Sequence, residues 1–311
     1  MKTVLLAAPV HPVLSEGLTA AGYQLITGEK FSSSEMQAVL PAVTGIITST
    51  RILLDRTALD KAPNLCWVGR MGSGMEIIDL EAAREKGIFV CSSPEGNCNA
   101  VAEHALGMLL ALLRHIPRAF EEIKNGQWLR EENRGHELEG RTVGIIGYGH
   151  TGAAFAKKLA GFEVKVLAYD ILENPGQPVY PYVQLAPLEQ VLEQADVLSF
   201  HVPLNRETRH YFNEAFLAGL KKPVYLMNTS RGEVVESGAL IKGLTNGSLL
   251  GACLDVWEEE PLGKMSGSVR ENFDRVLQFP NVLVTPHIAG YSAEALYKMS
   301  KVLLEKLKQT V

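Results

Sequence analysis

The apolar positions of this chain come in short compact runs separated by longer amphipathic stretches. KTVLLAA, YQLIT, TGIITST, LCWVGRM and IFVCSS are such runs, rich in β-branched residues, in the N-terminal third. Between them lie segments such as SEMQAVLPAV and DLEAAREKG, in which apolar residues recur at helical spacing. Continuous apolar strands alternating with helices predict a parallel sheet covered on both faces. Gly22 and Gly87 stand where helix C-caps are expected.

A second series of strand-like runs begins near residue 141: RTVGIIGYG, EVKVLAYD, DVLSFHVP, PVYLMNTS, LLGACLDVW and NVLVTPH. Helical patterns such as TGAAFAKKLAG and ESGALIKGLTNG fill the gaps, and the amphipathic SAEALYKMSKVLLEKLKQ follows the last strand. Between the two series, NAVAEHALGMLLALLRHIPRAFEEIKNGQW reads as one long helix or a bent pair, with Pro117 in its middle. Its apolar run, ALGMLLALL, is expected in a buried helix, and the element as a whole is expected to offer an apolar face to a partner subunit. ENPGQPVYPYVQLAP (residues 173–187) reads as a loop.

Composition narrows the class. The chain has 311 residues, 46% of them hydrophobic and 21% charged, which suits a globular protein of two domains. A net charge of −5 argues against nucleic acid or an anionic membrane as partner, since either requires a basic surface. ALGMLLALL is too short to span a bilayer, and MKTVLLAAPV reads as a first strand rather than a leader. The four cysteines show no CxxC spacing, so reduced, packed thiols and a cytoplasmic protein are expected. No zinc-ligand spacing is present, and no metal is expected.

VGIIGYGHTG places Gly147, Gly149 and Gly152 in a GxGxxG that follows an apolar strand and opens a helix. There the first glycine permits a tight turn, the second lets a pyrophosphate approach the backbone, and the third lets helix and strand pack closely. His150 and Thr151 lie within the same loop. The next strand ends in Asp170, where a carboxylate can accept the adenosine ribose hydroxyls and repel a 2′-phosphate. Ile171 and Leu172 follow rather than Arg or Lys, which favours NAD over NADP.

In open parallel sheets, ligands bind beyond the carboxyl ends of strands. PVYLMNTS runs into Arg231, LLGACLDVW into Glu258, Glu259 and Glu260, and NVLVTPH ends in His287. Reduction of a 2-oxo acid needs such groups. A guanidinium can hold the carboxylate and polarise the carbonyl, an imidazole can transfer the proton, and a carboxylate can orient the imidazole. The chemistry alone does not choose among the three glutamates.

GRMGSGMEIIDLEAAREKGI, SSPEGNCNAVAEHALGMLLALLR, ELEGRTVGIIGYGHTG, FHVPLNRETRHYF, MNTSRGEVVE, GACLDVWEEEPL and NVLVTPHIAG occur in one order along residues 45–292. Together they resemble the D-isomer-specific 2-hydroxyacid dehydrogenases, particularly the D-3-phosphoglycerate dehydrogenase-like branch. The resemblance implies an α/β protein with two doubly wound parallel-sheet domains. One is a flavodoxin-like substrate domain (residues 1–99 plus 288–311), the other a Rossmann NAD-binding domain (100–287) through which the family usually dimerises. It implies that Arg231 binds and polarises substrate, that His287 is the acid–base, and that Glu260 is its partner. It implies that Asp255 contacts the nicotinamide carboxamide. Val202, Pro203, Thr208, Asn228, Thr229, Ser230, Ala289 and Gly290 would line the dinucleotide site. Arg70, Ser73, Gly74 and Asn97 would meet substrate.

Members of that branch often carry an Arg-Ser pair for a substrate phosphate. Here Ser49-Thr50 stands at that pair and Arg51 one place on, a substitute that leaves the strand in another direction. 3-Phosphoglycerate with 3-phosphohydroxypyruvate, as in serine biosynthesis, is the first substrate expected. Glyoxylate or hydroxypyruvate is the alternative, and an NAD-sensing, corepressor-like regulator is the alternative of another class. Arg130 and Arg134 read as a solvated charged turn, and His104 as a packed helix residue.

Overall fold

The computed structural model describes residues 2–50 and 52–309, and its contacts divide the chain into residues 1–99 with 290–311, and residues 100–289. The first unit runs β1 (Thr3–Leu6), α1 (Pro12–Ala20), β2 (Gln24–Thr27), α2 (Ser33–Val39), β3 (Gly45–Thr48), α3 (Arg56–Asp60), β4 (Trp67–Arg70), α4 (Leu80–Glu85) and β5 (Phe89–Ser92). All five strands pair in parallel, in the order β2-β1-β3-β4-β5, which is the flavodoxin-like order. Alternate residues of a strand point to opposite faces. Leu5, Ile46 and Val68 therefore join one apolar cluster while Val4, Ile47 and Trp67 join the other. Asp55 and Asp79 cap α3 and α4 by accepting from Ala58 N and Ala82 N, and Gly22 and Gly87 follow α1 and α4 at φ +86° and +68°.

The long helical stretch is a bent pair, α5 (Pro94–Leu113) and α6 (Ile116–Lys124). The break falls just before Pro117, at His115, which is left-handed at φ 53°. Pro117 has no N–H to donate back to α5 but is tolerated in a first helical turn, where it stands as the second residue of α6. The two helices differ in what they bury. Ala105, Met108, Leu109, Leu112 and Leu113 of α5 are buried in the second unit's own core. The apolar side chains left in solvent belong to α6 and the turn after it, with Phe120 at 62% and Trp128 at 84% exposure.

The second unit continues with β6 (Thr142–Ile146), α7 (His150–Lys158), β7 (Lys165–Tyr169), β8 (Val183–Leu185), α8 (Leu188–Gln194), β9 (Val197–Phe200), α9 (Glu214–Gly219), β10 (Val224–Asn228), α10 (Ser237–Asn246), β11 (Leu249–Leu254), α11 (Gly267–Val276) and β12 (Val282–Val284). Its seven parallel strands are ordered β12-β11-β10-β9-β6-β7-β8. The chain builds outward from β6 through β7 to β8, then returns to place β9 on the other side of β6. That reversal opens a crevice at the carboxyl ends of β6 and β9, the Rossmann switch point. The segment 173–187 is not wholly loop, because Val183–Leu185 pairs with β7 as the sheet's edge. Finally α12 (Ala293–Lys308) returns to the first unit, where Leu303, Leu304 and Leu307 pack with Leu14 and Trp67.

Candidate dinucleotide and catalytic site

The turn between β6 and α7 has the shape its glycines predict. Gly147 takes φ +92°, and a Cβ there would lie 2.6 Å from the carbonyl of His201. A Cβ on Gly152 would collide with the carbonyl of Gly147. Gly149, by contrast, precedes α7 with no protein atom within 4 Å of its Cβ position. A pyrophosphate would enter there, against the positive end of α7 and beside His150 and Thr151.

Asp170, at the end of β7, accepts from Tyr148 N at 2.7 Å and Leu172 N at 3.0 Å. It borders a cavity of about 300 Å³ lined by Ala168, Tyr169, Leu172, Glu173, Leu185, Ala186 and Pro187. Thr229 carries a buried hydroxyl with no hydrogen-bond partner, a group that a ligand could satisfy. The open glycine, the acid-rimmed cavity and the orphan hydroxyl together fit NAD. Val202 lies 2.9 Å from the Gly147 Cβ position. The hydroxyl of Thr208 is spent within its own loop, donating to Pro203 O and accepting from Asn205 N. Tyr148, unremarkable in sequence, is fully buried and its hydroxyl donates to Pro178 O. Burial pushes that phenol up to about 12. His201, also buried, sits 2.8 Å from Ser199 Oγ, and burial pushes it down to about 3, so its ring is neutral.

A second cavity, of about 170 Å³, brings together Arg231, Glu260 and His287 with Leu204, Gly232, Glu233, Trp257 and Glu258. The turn that presents Arg231 is shaped by buried Asn228, which accepts from Ser230 N and Oγ and donates to Arg231 O. His287 Nδ1 lies 2.7 Å from Glu260 Oε2, so the pair engages Nδ1 and not Nε2. The three glutamates now separate. Glu258 accepts from Ser237 N at the start of α10, and Glu259 from Ser266 N and Oγ. Glu260 reaches the histidine, its other oxygen held by Trp257 N at 3.0 Å. Burial raises the Glu260 carboxyl, but the bonds from His287 and Trp257 N–H and the charges of His287 and Arg231 outweigh it. The net direction is below the ordinary carboxylate range, so the group is ionised at neutral pH.

Asp255, expected to contact the nicotinamide, is engaged within the protein. At 1% exposure it accepts from Thr285 Oγ1 (2.6 Å), Ile288 N (2.8 Å) and Ala289 N (2.8 Å), clasping the loop that carries His287. The Ala289 amide is thus committed to Asp255, and Gly290 is the first residue beyond the second unit. No signal in the sequence links Asp255 to Thr285.

The proposed substrate residues lie in the first unit. Arg70 is 6% exposed and turned inward, its Nη1 donating to Met71 O at 2.8 Å. Ser93 stitches the following turn by accepting from Gly72 N and donating to Arg70 O. Ser73 is exposed on that turn, Gly74 is buried, and Asn97 in α5 carries a buried, unpartnered Oδ1. Arg51 lies outside the described residues. Arg134 is exposed and pairs with Glu131, and Arg130 is exposed. Among the described residues, no three His, Cys, Asp or Glu side chains are grouped to hold a metal, and no helix is long and apolar enough to cross a membrane.

Comparison with known proteins agrees with this geometry. Residues 106–289 match the model of the D-isomer specific 2-hydroxyacid dehydrogenase, NAD binding domain. The chain is 39% identical over 259 residues to a glyoxylate reductase of Thermofilum pendens, covering 82% of this chain and 74% of that protein. It is 34% identical over 296 residues to the D-3-phosphoglycerate dehydrogenase of Rattus norvegicus, covering 95% of this chain but only 54% of that protein. Among solved structures it superposes on the D-lactate dehydrogenase of Aquifex aeolicus, complexed with NAD and lactic acid, with a TM-score of 0.84 at 28% identity, over 99% and 94% of the two chains. The chain is a member of the NAD-dependent, D-isomer-specific 2-hydroxyacid dehydrogenase family.

Proposed function

We propose that the protein is a reductase of a small, unphosphorylated 2-oxo acid, glyoxylate or hydroxypyruvate, with His287 as proton donor. The observation that carries this reading is the Glu260–His287 pair at 2.7 Å sharing one small cavity with Arg231. The cofactor, bound as NADH, would supply the hydride. The protein's part is to hold the acid and manage the proton. Arg231 opposes the negative charge that develops on the carbonyl oxygen, His287 delivers a proton from Nε2, and Glu260 holds the imidazole through Nδ1. Asp170 is assigned to the adenosine ribose.

The preference for an unphosphorylated acid rests on charge. Among the acids lining the cavity Glu233 is paired with Arg209, while Glu258 and Glu260 share the cavity with one arginine, a poor setting for a further dianion. Arg70 is buried, with Nη1 on Met71 O, and Ser49-Thr50 replaces the expected Arg-Ser pair. The glyoxylate reductase relative also shares the higher identity. A second reading, 3-phosphohydroxypyruvate, is favoured by the 95% of this chain that aligns with the phosphoglycerate dehydrogenase. A homodimer through the second unit is proposed to cover the α6 face with Phe120 and Trp128.

The test is NADH oxidation with glyoxylate, hydroxypyruvate, 3-phosphohydroxypyruvate and 2-oxoglutarate, beside His287→Ala. Preference for an unphosphorylated acid, lost in the variant, supports the proposal. Preference for the phosphorylated acid moves the protein to the second reading. NADH binding without turnover of any acid would make it a regulator.

A further inference from the structure

We infer that His104, which does not touch the acid–base pair, is a positioning residue for His287 and acts through Thr285 and Asp255. The inference rests on the reading of His287 as proton donor.

The argument begins with backbone conformation. His287 has φ 55°, a left-handed geometry that costs a non-glycine residue on the order of 1–2 kcal/mol and persists where its surroundings impose it. Those surroundings centre on Asp255. The amide of His287 donates to Asp255 O at 2.7 Å and Thr285 O at 3.0 Å. The next two amides, of Ile288 and Ala289, donate to the Asp255 carboxylate, one to each oxygen. Whatever fixes the Asp255 carboxylate therefore fixes the direction in which the His287 ring leaves the chain.

His104 on α5 reaches this carboxylate from behind. Its Nε2 lies 3.0 Å from Thr285 Oγ1 and 3.5 Å from Asp255 Oδ1. Proton counting then assigns the ring. Thr285 has one hydroxyl proton, and the charged oxygen of Asp255 at 2.6 Å takes it in preference to the Met108 sulfur at 3.6 Å. The oxygen of Thr285 can accept from His104 only if Nε2 carries a proton. His104 thus donates to Thr285, Thr285 donates to Asp255, and Asp255 holds the three residues that place the His287 ring. A chain of donors ending on a buried carboxylate strengthens along its length. Filling space on α5 would require none of this alignment.

His104→Phe keeps the ring volume and removes the donor. His104→Gln returns an N–H near the position of Nε2. Turnover of the parent with glyoxylate or hydroxypyruvate, and its loss in His287→Ala, are measured first. If the parent turns over neither acid, or His287→Ala matches it, the functional reading fails and this inference with it. With turnover established, His104→Phe should lower kcat by roughly 10- to 30-fold, as expected for a slightly misplaced reacting group. Its NADH affinity should stay within about twofold of the parent, and His104→Gln should recover most of the loss. In the protein without cofactor, amide exchange at Ile288 and Ala289 should quicken by about tenfold in His104→Phe and not in His104→Gln. Adding Thr285→Val to His104→Phe should cost no more than Thr285→Val alone, because both break one path. A kcat and exchange rates in His104→Phe equal to the parent's would overturn the inference, as would losses that multiply in the double variant. Should His104→Phe not fold, Thr285→Val reads the same link, and an unchanged kcat there overturns it.

Discussion

Glu260→Gln replaces one oxygen by an amide nitrogen and removes one charge without changing the side chain's shape. Trp257 N–H requires an acceptor at its present distance of 3.0 Å. The glutamine oxygen must therefore stay on Trp257 and the NH₂ must face His287 Nδ1, where a donor holds the ring neutral. The lost attraction follows from the 2.7 Å contact: ~1.5 kcal/mol in a water-like medium and ~6 kcal/mol at an effective dielectric of ~20. The side chains are 41% and 36% exposed, so solvent screens the pair and the lower end applies, about 2 kcal/mol. In the oxidative direction, where the imidazole gains a proton, this is about 30-fold in kcat. In the reductive direction the imidazole must begin protonated, so the alkaline limb of the pH–rate profile should move toward acid. Initial rates in both directions between pH 5 and 9 (roughly the range in which His titrates) read both effects. An unmoved limb with rates within about threefold of the parent would reduce Glu260 to a cap for Trp257 N–H and refute the acid–base assignment.

Other substitutions probe the rest of the framework. Asp170→Ala removes the carboxylate at the cofactor cavity. It should weaken NADH by about 10- to 100-fold while leaving NADPH little changed, as fluorescence titration with each would show. Gly232→Ala drives a methyl into the carbonyl of Trp257 and within 2.5 Å of Glu258 N. It should cost about 1–3 kcal/mol of stability and most of the activity, because Arg231 and Glu260 flank the clash. A normal melting temperature in that variant would contradict the packing described. Asp196 is raised by burial, but its bonds to Lys222 (2.6 Å) and Thr142 N (2.8 Å) and the charges of Lys222 and Arg141 bring it below its ordinary 3.8. Its stabilisation is complete above that ordinary value and is lost as the pH falls through the lower folded one. The thermal gap between the parent and Asp196→Asn, about 1 kcal/mol at neutral pH, should close in acid. A gap that persists at pH ~2 would exclude this linkage.

What the sequence disclosed follows from the range of each signal. The glycine loop is local, so its role could be read from the strand before it and the helix after it. Arg231, Glu260 and His287 are far apart in the chain, but each follows a strand. The rule that such ends converge was enough to group them. Choosing among the glutamates was not possible that way, because the choice depends on Ser237, Ser266 and Trp257 N–H, partners set by tertiary packing. The same holds for the Asp255 clasp and for His104. The short α3, α8 and α9 give too few turns to display a period, and β8 is masked by the prolines around it. The longest apolar run, in α5, reads as a buried helix and is core. The weaker pattern of Ile116, Phe120 and Ile123 at helical spacing marked the face that stays in solvent.

The return of α12 to the first unit bears on the order in which the protein assembles on the ribosome. Residues 100–289 are continuous, so the nucleotide-binding unit can close as soon as β12 has emerged. The first unit begins synthesis earlier but cannot finish. Leu303, Leu304 and Leu307 complete the cluster around Leu14 and Trp67, and Gly17 leaves the room that Leu304 fills. Until those residues arrive, an all-parallel sheet waits with one apolar face covered only in part, by Leu14 and Leu18 of α1, a species prone to aggregation. Nonsense or frameshift changes that remove α12 should therefore act as solubility lesions, with the catalytic residues all present in a chain that does not accumulate.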